Sequence, residues 1–177
     1  MYLNLSVNLS ARNLHDDGLV REVADALERH GVAAEHLTLE VTETAVMADT
    51  KTARQMISAF AALGVAVAID DFCTGYTSLN QLAGLDVQTL KIDKSFVLAM
   101  RDDARNAAIV ESIINLGKSL HLTTFAEGVE TERHWTDIRA LGCDAAQGYY
   151  FARPLTPEAL EAWLRARGAR TSEAPVA

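Results

Sequence analysis

Six short apolar or β-branched segments of this chain each run into an acid, an amide or a lysine, always at the same end. Asn8 closes YLNLSVN, Glu40 closes LTLE, and Asp70 and Asp71 close VAVAIDD. Lys91 closes VQTLK, Glu127 closes LTTFAE, and Gln147 follows the short segment CDAAQ. A charge at the end of a buried strand is costly unless something pairs with it. Six such endings point to one polar site assembled from many strands. The top of a parallel α/β barrel carrying a metal cluster meets that description.

Between these endings, strand-like and helix-like patterns alternate. Tyr2 to Asn8 reads as a strand. Gly18 to His30 reads as an amphipathic helix, with Leu19, Val20, Val23, Ala26 and Leu27 on its apolar face and Gly31 as its stop. Leu37 to Val41 is a strand, and Asp49 caps a helix to Leu63 that Gly64 ends. Val65 to Ile69 is a continuous apolar run, as in a strand covered on both faces. Asp71 to Ser78 reads as a loop containing Gly75, and Val87 to Ile92 as the next strand. Arg105 to Leu120 is a long helix, Leu122 to Ala126 a strand, Thr131 to Leu141 a helix and Cys143 to Gln147 a short strand. Pro157 opens a last helix. One domain is expected over 1–167, with 168–177 as a flexible tail.

Strict β-α alternation implies parallel pairing through helical crossovers. A doubly wound sheet would concentrate its polar residues at one switch point and usually carries a glycine-rich loop after the first strand. Neither feature is present, whereas a barrel gathers all strand ends round one rim. Six strands are counted, roughly 70 residues and two strands short of a typical barrel. The chain begins inside a strand, so the shortage is expected at the front. An open barrel exposes strand edges, so poor monomer stability is expected unless another chain covers the gap.

The bulk numbers narrow the partners. The 177 residues, 49% hydrophobic and 23% charged, support one domain with a core. A net charge of −8 argues against binding DNA or RNA polymers. A small nucleotide can still be held if metal ions neutralise the carboxylates. No apolar run approaches the roughly 18 residues of a membrane span, and the N-terminus does not read as a signal peptide. Cys73 and Cys143 read as reduced thiols, which favours the cytoplasm. His15, His30, His36, His121 and His134 show no metal-ligand spacing.

Asp70 and Asp71 form the sharpest pair. Neighbours on a regular strand face opposite sides, but at a strand end the backbone can turn so that both carboxylates serve one metal centre. Two unscreened anions raise each other's pKa, and a divalent cation removes that penalty. The bland alternative is an acidic turn before Gly75. Glu40, Asn8 and Glu127 add oxygen donors without nearby His or Cys, a set suited to Mg2+ or Mn2+. Lys91 either neutralises a phosphate or orients a water, or else pairs with Asp93 or a rim carboxylate. Gln147 is equally a ligand contact or a structural amide. Met47, Met56 and Met100 read as packing or helix surface. Phe72, Tyr76, Tyr149, Tyr150 and Phe151 are base-stacking candidates only if they reach the rim.

The runs VNLSARNL, LTLEVTET, AIDDFCTGYTSL, LKIDKSFV, FAEGVET and QGYYFARP resemble, in order and spacing, the motifs of the EAL family of cyclic di-GMP phosphodiesterases. The resemblance implies a TIM-like (β/α)8 barrel, incomplete here with about six β/α units. It implies hydrolysis of cyclic di-GMP to linear pGpG with Mg2+ or Mn2+ and inhibition by Ca2+. Carried over by motif, Asn8, Glu40 and Asp70 are ligands of the first metal, and Asp71 serves the second. Lys91 positions the attacking water, and Glu127 and Gln147 complete the site through metal, water or substrate. Asp93 supports the substrate, and Glu43 anchors the loop Asp71–Leu79, which in the family couples metal binding to dimerisation. A homodimer is implied, or a chain covered by a missing N-terminal segment or by other domains of a longer sensor protein.

Two departures stand against that pattern. The Glu-Ala-Leu motif that names the family, with its metal-ligating glutamate and nearby substrate arginine, is absent. Cys73 stands where the family's loop usually has glycine, and a positive φ there would strain it. The chain is therefore expected to be a fragment. An inactive cyclic di-GMP-binding domain and a pure protein-interaction domain are the alternatives to an active enzyme.

Overall fold

A computed structural model describes residues 3–74 and 79–171. Tyr2, the Gly75–Ser78 part of the expected loop, and residues 172–177 of the expected tail lie outside the described residues.

Six strands form one sheet: β1 (Leu5–Leu9), β2 (Leu37–Thr42), β3 (Ala66–Phe72), β4 (Thr89–Ile92), β5 (Thr123–Ala126) and β6 (Ala145–Ala146). Every neighbouring pair is parallel, and the order runs from β1 to β6 without reversal. A doubly wound sheet reverses its strand order at a switch point, so this winding is that of an incomplete TIM-like barrel. The crossovers carry α1 (Leu19–His30), α2 (Glu43–Ala48), α3 (Thr50–Leu63), α4 (Leu79–Leu82), α5 (Lys94–Ala99), α6 (Ala104–Ser119) and α7 (Glu132–Ala140). A last helix, α8 (Pro157–Thr171), runs three residues past the expected start of the tail.

The core lies between sheet and helices. Leu39, Val41, Ile69, Leu90 and Ile92 of the central strands pack with Ile57 and Phe60 of α3 and Ile113 and Ile114 of α6, all of them buried. β2 and β3 have no exposed position, as strands covered on both faces must be. β1 differs, with Leu5 63% and Val7 40% exposed. It is a sheet edge, so the expectation of a buried strand ending in Asn8 fails there, and Asn8 itself is exposed.

Several boundaries also shift. β3 continues through Asp71 and Phe72, two residues read from sequence as loop, and leaves Val65 outside. β4 starts at Thr89, and before it the Gln88 side chain turns back, its Oε1 accepting from the Val67 amide at 2.8 Å. The short helices α2 and α5 were not expected. Each starts directly at a strand end on its own cap: Thr42 Oγ1 accepts from the Ala45 amide at 3.3 Å, and Asp93 Oδ1 from the Ser95 amide at 3.0 Å.

Candidate active site

The adjacent acids of β3 are brought to one side by a local break in the strand. The β3–β4 register pairs Ile69 with Leu90 and Phe72 with Ile92. Asp70 and Asp71 thus both stand opposite Lys91, two residues against one, which is a β-bulge. Asp71 takes the extra turn in the left-handed region, at φ 53. The inserted residue cancels the alternation that would send the two carboxylates to opposite faces. One ligand oxygen each from Asp70, Asp71 and Glu127 then lies within 4.8 Å of the others.

Lys91 sits inside this group. It is 3% exposed, and its ammonium pairs with Glu40 Oε2 at 2.6 Å, Glu127 Oε1 at 2.6 Å and Asp70 Oδ1 at 3.1 Å. Three carboxylates thus lie within ion-pair reach of one ammonium. Burial alone favours the neutral amine, but the hydrogen bonds to Glu127 and Glu40 outweigh it and hold the pKa above its ordinary value. Of the sequence alternatives, the rim carboxylates are its partners. Asp93 instead caps α5 and faces Asp71.

The acids are not balanced by that one cation. Four carboxylates, Glu40, Asp70, Asp71 and Glu127, face one ammonium, which leaves about three negative charges uncompensated. Asp71 is pushed above its ordinary pKa by burial, then by the charges of Asp70 and Asp93 and a hydrogen bond with Asp93. Glu127 is raised by burial, which prevails over the lowering by Lys91. Such a set fits cations. All its donors are oxygens, the chemistry of Mg2+, Mn2+ and Ca2+ rather than of softer metals.

The remaining residues fall round this centre. Asn8 is level with Glu40 in the β1–β2 register, so its backbone stands at the rim. Gln147 Nε2 donates to Glu127 Oε1 at 2.7 Å. Glu43 opens α2, is 1% exposed, and adds its charge to the burial that pushes the Cys73 thiol pKa up. Cys73 has φ 68, so the strain expected of a non-glycine residue there is present. The sequence reading did not single out Lys94 or Arg153, which line the cavity beside Glu127. Arg153 stood in the quoted run QGYYFARP, where Gln147 and the aromatics drew attention instead.

These features define a parallel-barrel domain with an acidic, cation-seeking rim. The family model described as EAL domain matches residues 1–154, and the chain belongs to that family. A bifunctional diguanylate cyclase/cyclic di-GMP phosphodiesterase, MucR of Pseudomonas aeruginosa, is 43% identical over 157 residues. Those residues are 89% of this chain and 23% of that protein, so the chain spans under a quarter of its relative's length. The solved complex of the MucR phosphodiesterase with c-di-GMP superposes with a TM-score of 0.86 at 43% identity, covering 89% of this chain and 64% of that one. A manganese/cy-diGMP complex of Klebsiella pneumoniae BlrP1 gives a TM-score of 0.79 at 32% identity, covering 85% of this chain and 39% of that one.

Proposed function

We propose that this domain is a metal-dependent phosphodiesterase that hydrolyses cyclic di-GMP to linear pGpG in second-messenger signalling. The observation that carries the reading is the cluster of Asp70, Asp71 and Glu127 at the C-terminal rim of a parallel barrel, two of its members paired with the buried Lys91. Asn8, Glu40 and Asp70 would hold a first Mg2+ or Mn2+ and Asp71 a second, with Glu127 and Gln147 completing the site through metal, water or substrate. Bound divalent ions supply charge neutralisation of the phosphodiester and a lowered pKa for the attacking water. Lys91 orients that water and keeps Glu40, Asp70 and Glu127 at fixed spacing. Gln147 fixes the Glu127 carboxylate by its hydrogen bond. Asp93, which hydrogen-bonds Asp71, supports the substrate beside it. Ca2+ occupies the same oxygens but accepts larger, looser geometry, which makes it an inhibitor.

A cytoplasmic location goes with this reading, supported by the free thiols of Cys73 and Cys143. Among the described residues no helix is long and apolar enough to cross a membrane. The exposed β1 edge supports a homodimer, or cover by another segment. The test is incubation with cyclic di-GMP and Mn2+, followed by chromatography for pGpG. Product that disappears in Lys91→Ala and Asp70→Asn supports the reading. Calorimetric binding without product in a folded sample would make the domain a sensor instead.

A further inference from the structure

Glu127 and Gln147 each stand directly after a strand, and each is followed by a glycine. Their backbones still belong to the sheet. The Glu127 amide donates to the Ile92 carbonyl at 3.1 Å, and the Gln147 amide to the Ala126 carbonyl at 2.9 Å. One residue later the ladder is over, so the direction of each side chain depends on how the chain leaves its strand. That direction matters here. Glu127 Oε1 accepts from the Lys91 ammonium at 2.6 Å and from Gln147 Nε2 at 2.7 Å.

Both exits are cut to the size of a hydrogen atom. Gly128 has φ 68, and a Cβ there would stand 2.5 Å from Lys94 Cβ and 3.2 Å from Lys94 Cα, in the first turn of α5. Gly148 has φ 155, and a Cβ there would stand 2.2 Å from the Val129 carbonyl oxygen and 2.4 Å from the Val129 amide nitrogen. Backbone atoms cannot swing aside as the tip of a side chain can. Val129, fully buried, donates its amide to the Gln147 carbonyl at 3.0 Å, and its carbonyl accepts from the Tyr150 amide at 3.0 Å. The Gly128–Val129 segment therefore touches α5 at one residue and the exit of β6 at the next. Asp93, the cap of α5, hydrogen-bonds Asp71, so the same helix turn also reaches the acids of β3.

Resting on the metal-dependent reading of the rim, we propose that Gly128 and Gly148 are positioning residues. Together they form a clamp that aims Glu127, through Gln147, at the cation site. They act through the carboxylate and not on the cation. A side chain at either glycine pushes two strand exits apart and moves the donor that orients Glu127. Loss of such an outer support weakens metal binding by about 10–100-fold. Gly117 supplies the contrast. It is buried in α6, and a Cβ there would stand 2.3 Å from Thr124 Cγ2, near the start of β5. It is as crowded as Gly148 and leans on the strand that leads to Glu127, but at the opposite end.

Calorimetric titration of the full chain with Mn2+ tests the clamp, with urea unfolding of each metal-free protein alongside. Gly148→Ala and Gly128→Ala weaken Mn2+ binding about tenfold. Gly117→Ala lowers the urea midpoint too, but leaves the Mn2+ affinity unchanged. Gln147→Ala alone weakens Mn2+ to a similar degree, and adding Gly148→Ala to it costs little more, because both act on one carboxylate. Should Gly148→Ala not fold, Gly128→Ala decides by the same titration, since its nearest clash is with a side-chain atom. Wild-type affinity in the glycine variants, an equal loss in Gly117→Ala, or full additivity with Gln147→Ala overturns the clamp while leaving the phosphodiesterase reading intact. A wild type that binds Mn2+ but forms no pGpG from cyclic di-GMP sinks the phosphodiesterase reading and leaves the clamp to the titration. A wild type that takes up no Mn2+ overturns the clamp outright.

Discussion

At the N-terminal end of the sheet, Asp144 precedes β6 and accepts from the Thr124 amide at 2.8 Å and the Thr124 hydroxyl at 2.7 Å. Those bonds hold its carboxyl below the ordinary range. At the C-terminal end, Asp71 and Glu127 are held above that range, by burial first and then by neighbouring carboxylates. The residue types are the same and the sheet is the same. The difference is the supply of donors. Asp144 has neutral donors of its own, while the rim acids share one ammonium. The first end spends its acid on joining two strands. The second keeps a charge deficit that folding alone does not relieve, and that deficit marks the end where a cation and a phosphate belong.

The sharpest way to break this comparison is to remove the buried cation that the rim acids share. Lys91→Ala leaves Glu40, Asp70 and Glu127 buried without their shared partner, and breaking a buried ion pair costs about 3–5 kcal/mol. Urea unfolding of the metal-free protein reads the loss. Added Mn2+ narrows the gap between variant and wild type, because the carboxylates regain a counter-charge. A variant as stable as the wild type without metal would show that the rim carries no electrostatic debt.

Asp71→Asn goes the opposite way. The raised pKa of Asp71 means that folding disfavours its charged form, so its removal stabilises the metal-free protein, by about 1 kcal/mol. The same change removes an oxygen anion from the Asp70, Asp71 and Glu127 group and lowers Mn2+ affinity. Opposite signs in unfolding and in metal titration identify a residue kept for binding rather than for folding. A loss of stability instead would place Asp71 with Asp144 as a structural acid.

The sequence made the rim legible because four of its six segments end on charged groups and the other two on amides, a pattern that few folds tolerate. It also made the winding legible, because β-α alternation without a phosphate loop leaves little but a barrel. The bulge was not readable. Nothing in VAVAIDDF distinguishes a strand that ends at Ile69 from one that takes an extra residue and continues to Phe72. The parity of Asp70 and Asp71 depends on that inserted residue, so their convergence had to be argued from chemistry. The threefold pairing of Lys91 was open for a similar reason, since register decides which acids lie within reach. The short helices α2 and α5 carried readable caps in Thr42 and Asp93, but six residues hold too few turns for a hydrophobic period to emerge. At β1 the reading overreached: a strand pattern cannot tell an edge from a centre.

Backbone strain at the rim is the next point of contrast. Asp71 and Cys73 both take positive φ within three residues, and a non-glycine residue in that region costs about 1 kcal/mol or more. Cys73→Gly relieves it at a position where the side chain lines a cavity with Ile109 and Ile113 of α6. The gain is about 0.5–1 kcal/mol after the extra freedom of glycine in the unfolded chain is subtracted. Thermal unfolding in reducing buffer reads it as a higher midpoint. A lower one would mean that the Cys73 contact with α6 outweighs the strain.

The smallest effect belongs to the quiet end. Asp144→Asn keeps an oxygen that accepts from the Thr124 amide but loses the charge assistance. Asp144 is exposed, so water screens most of that gain and the cost at pH 7 is about 0.5 kcal/mol. The pH dependence has a definite sign. A carboxyl whose folded pKa is lowered contributes stability above its ordinary value of 3.8, and that contribution fades as pH falls through the lower folded value. Wild type and variant therefore differ at pH 7 and converge as the medium is acidified past that range. Urea midpoints measured at pH 7 and at the most acidic pH where both proteins remain folded test the convergence. A gap of constant width would mean that the Thr124 bonds act through geometry alone, and that charge matters only at the opposite rim.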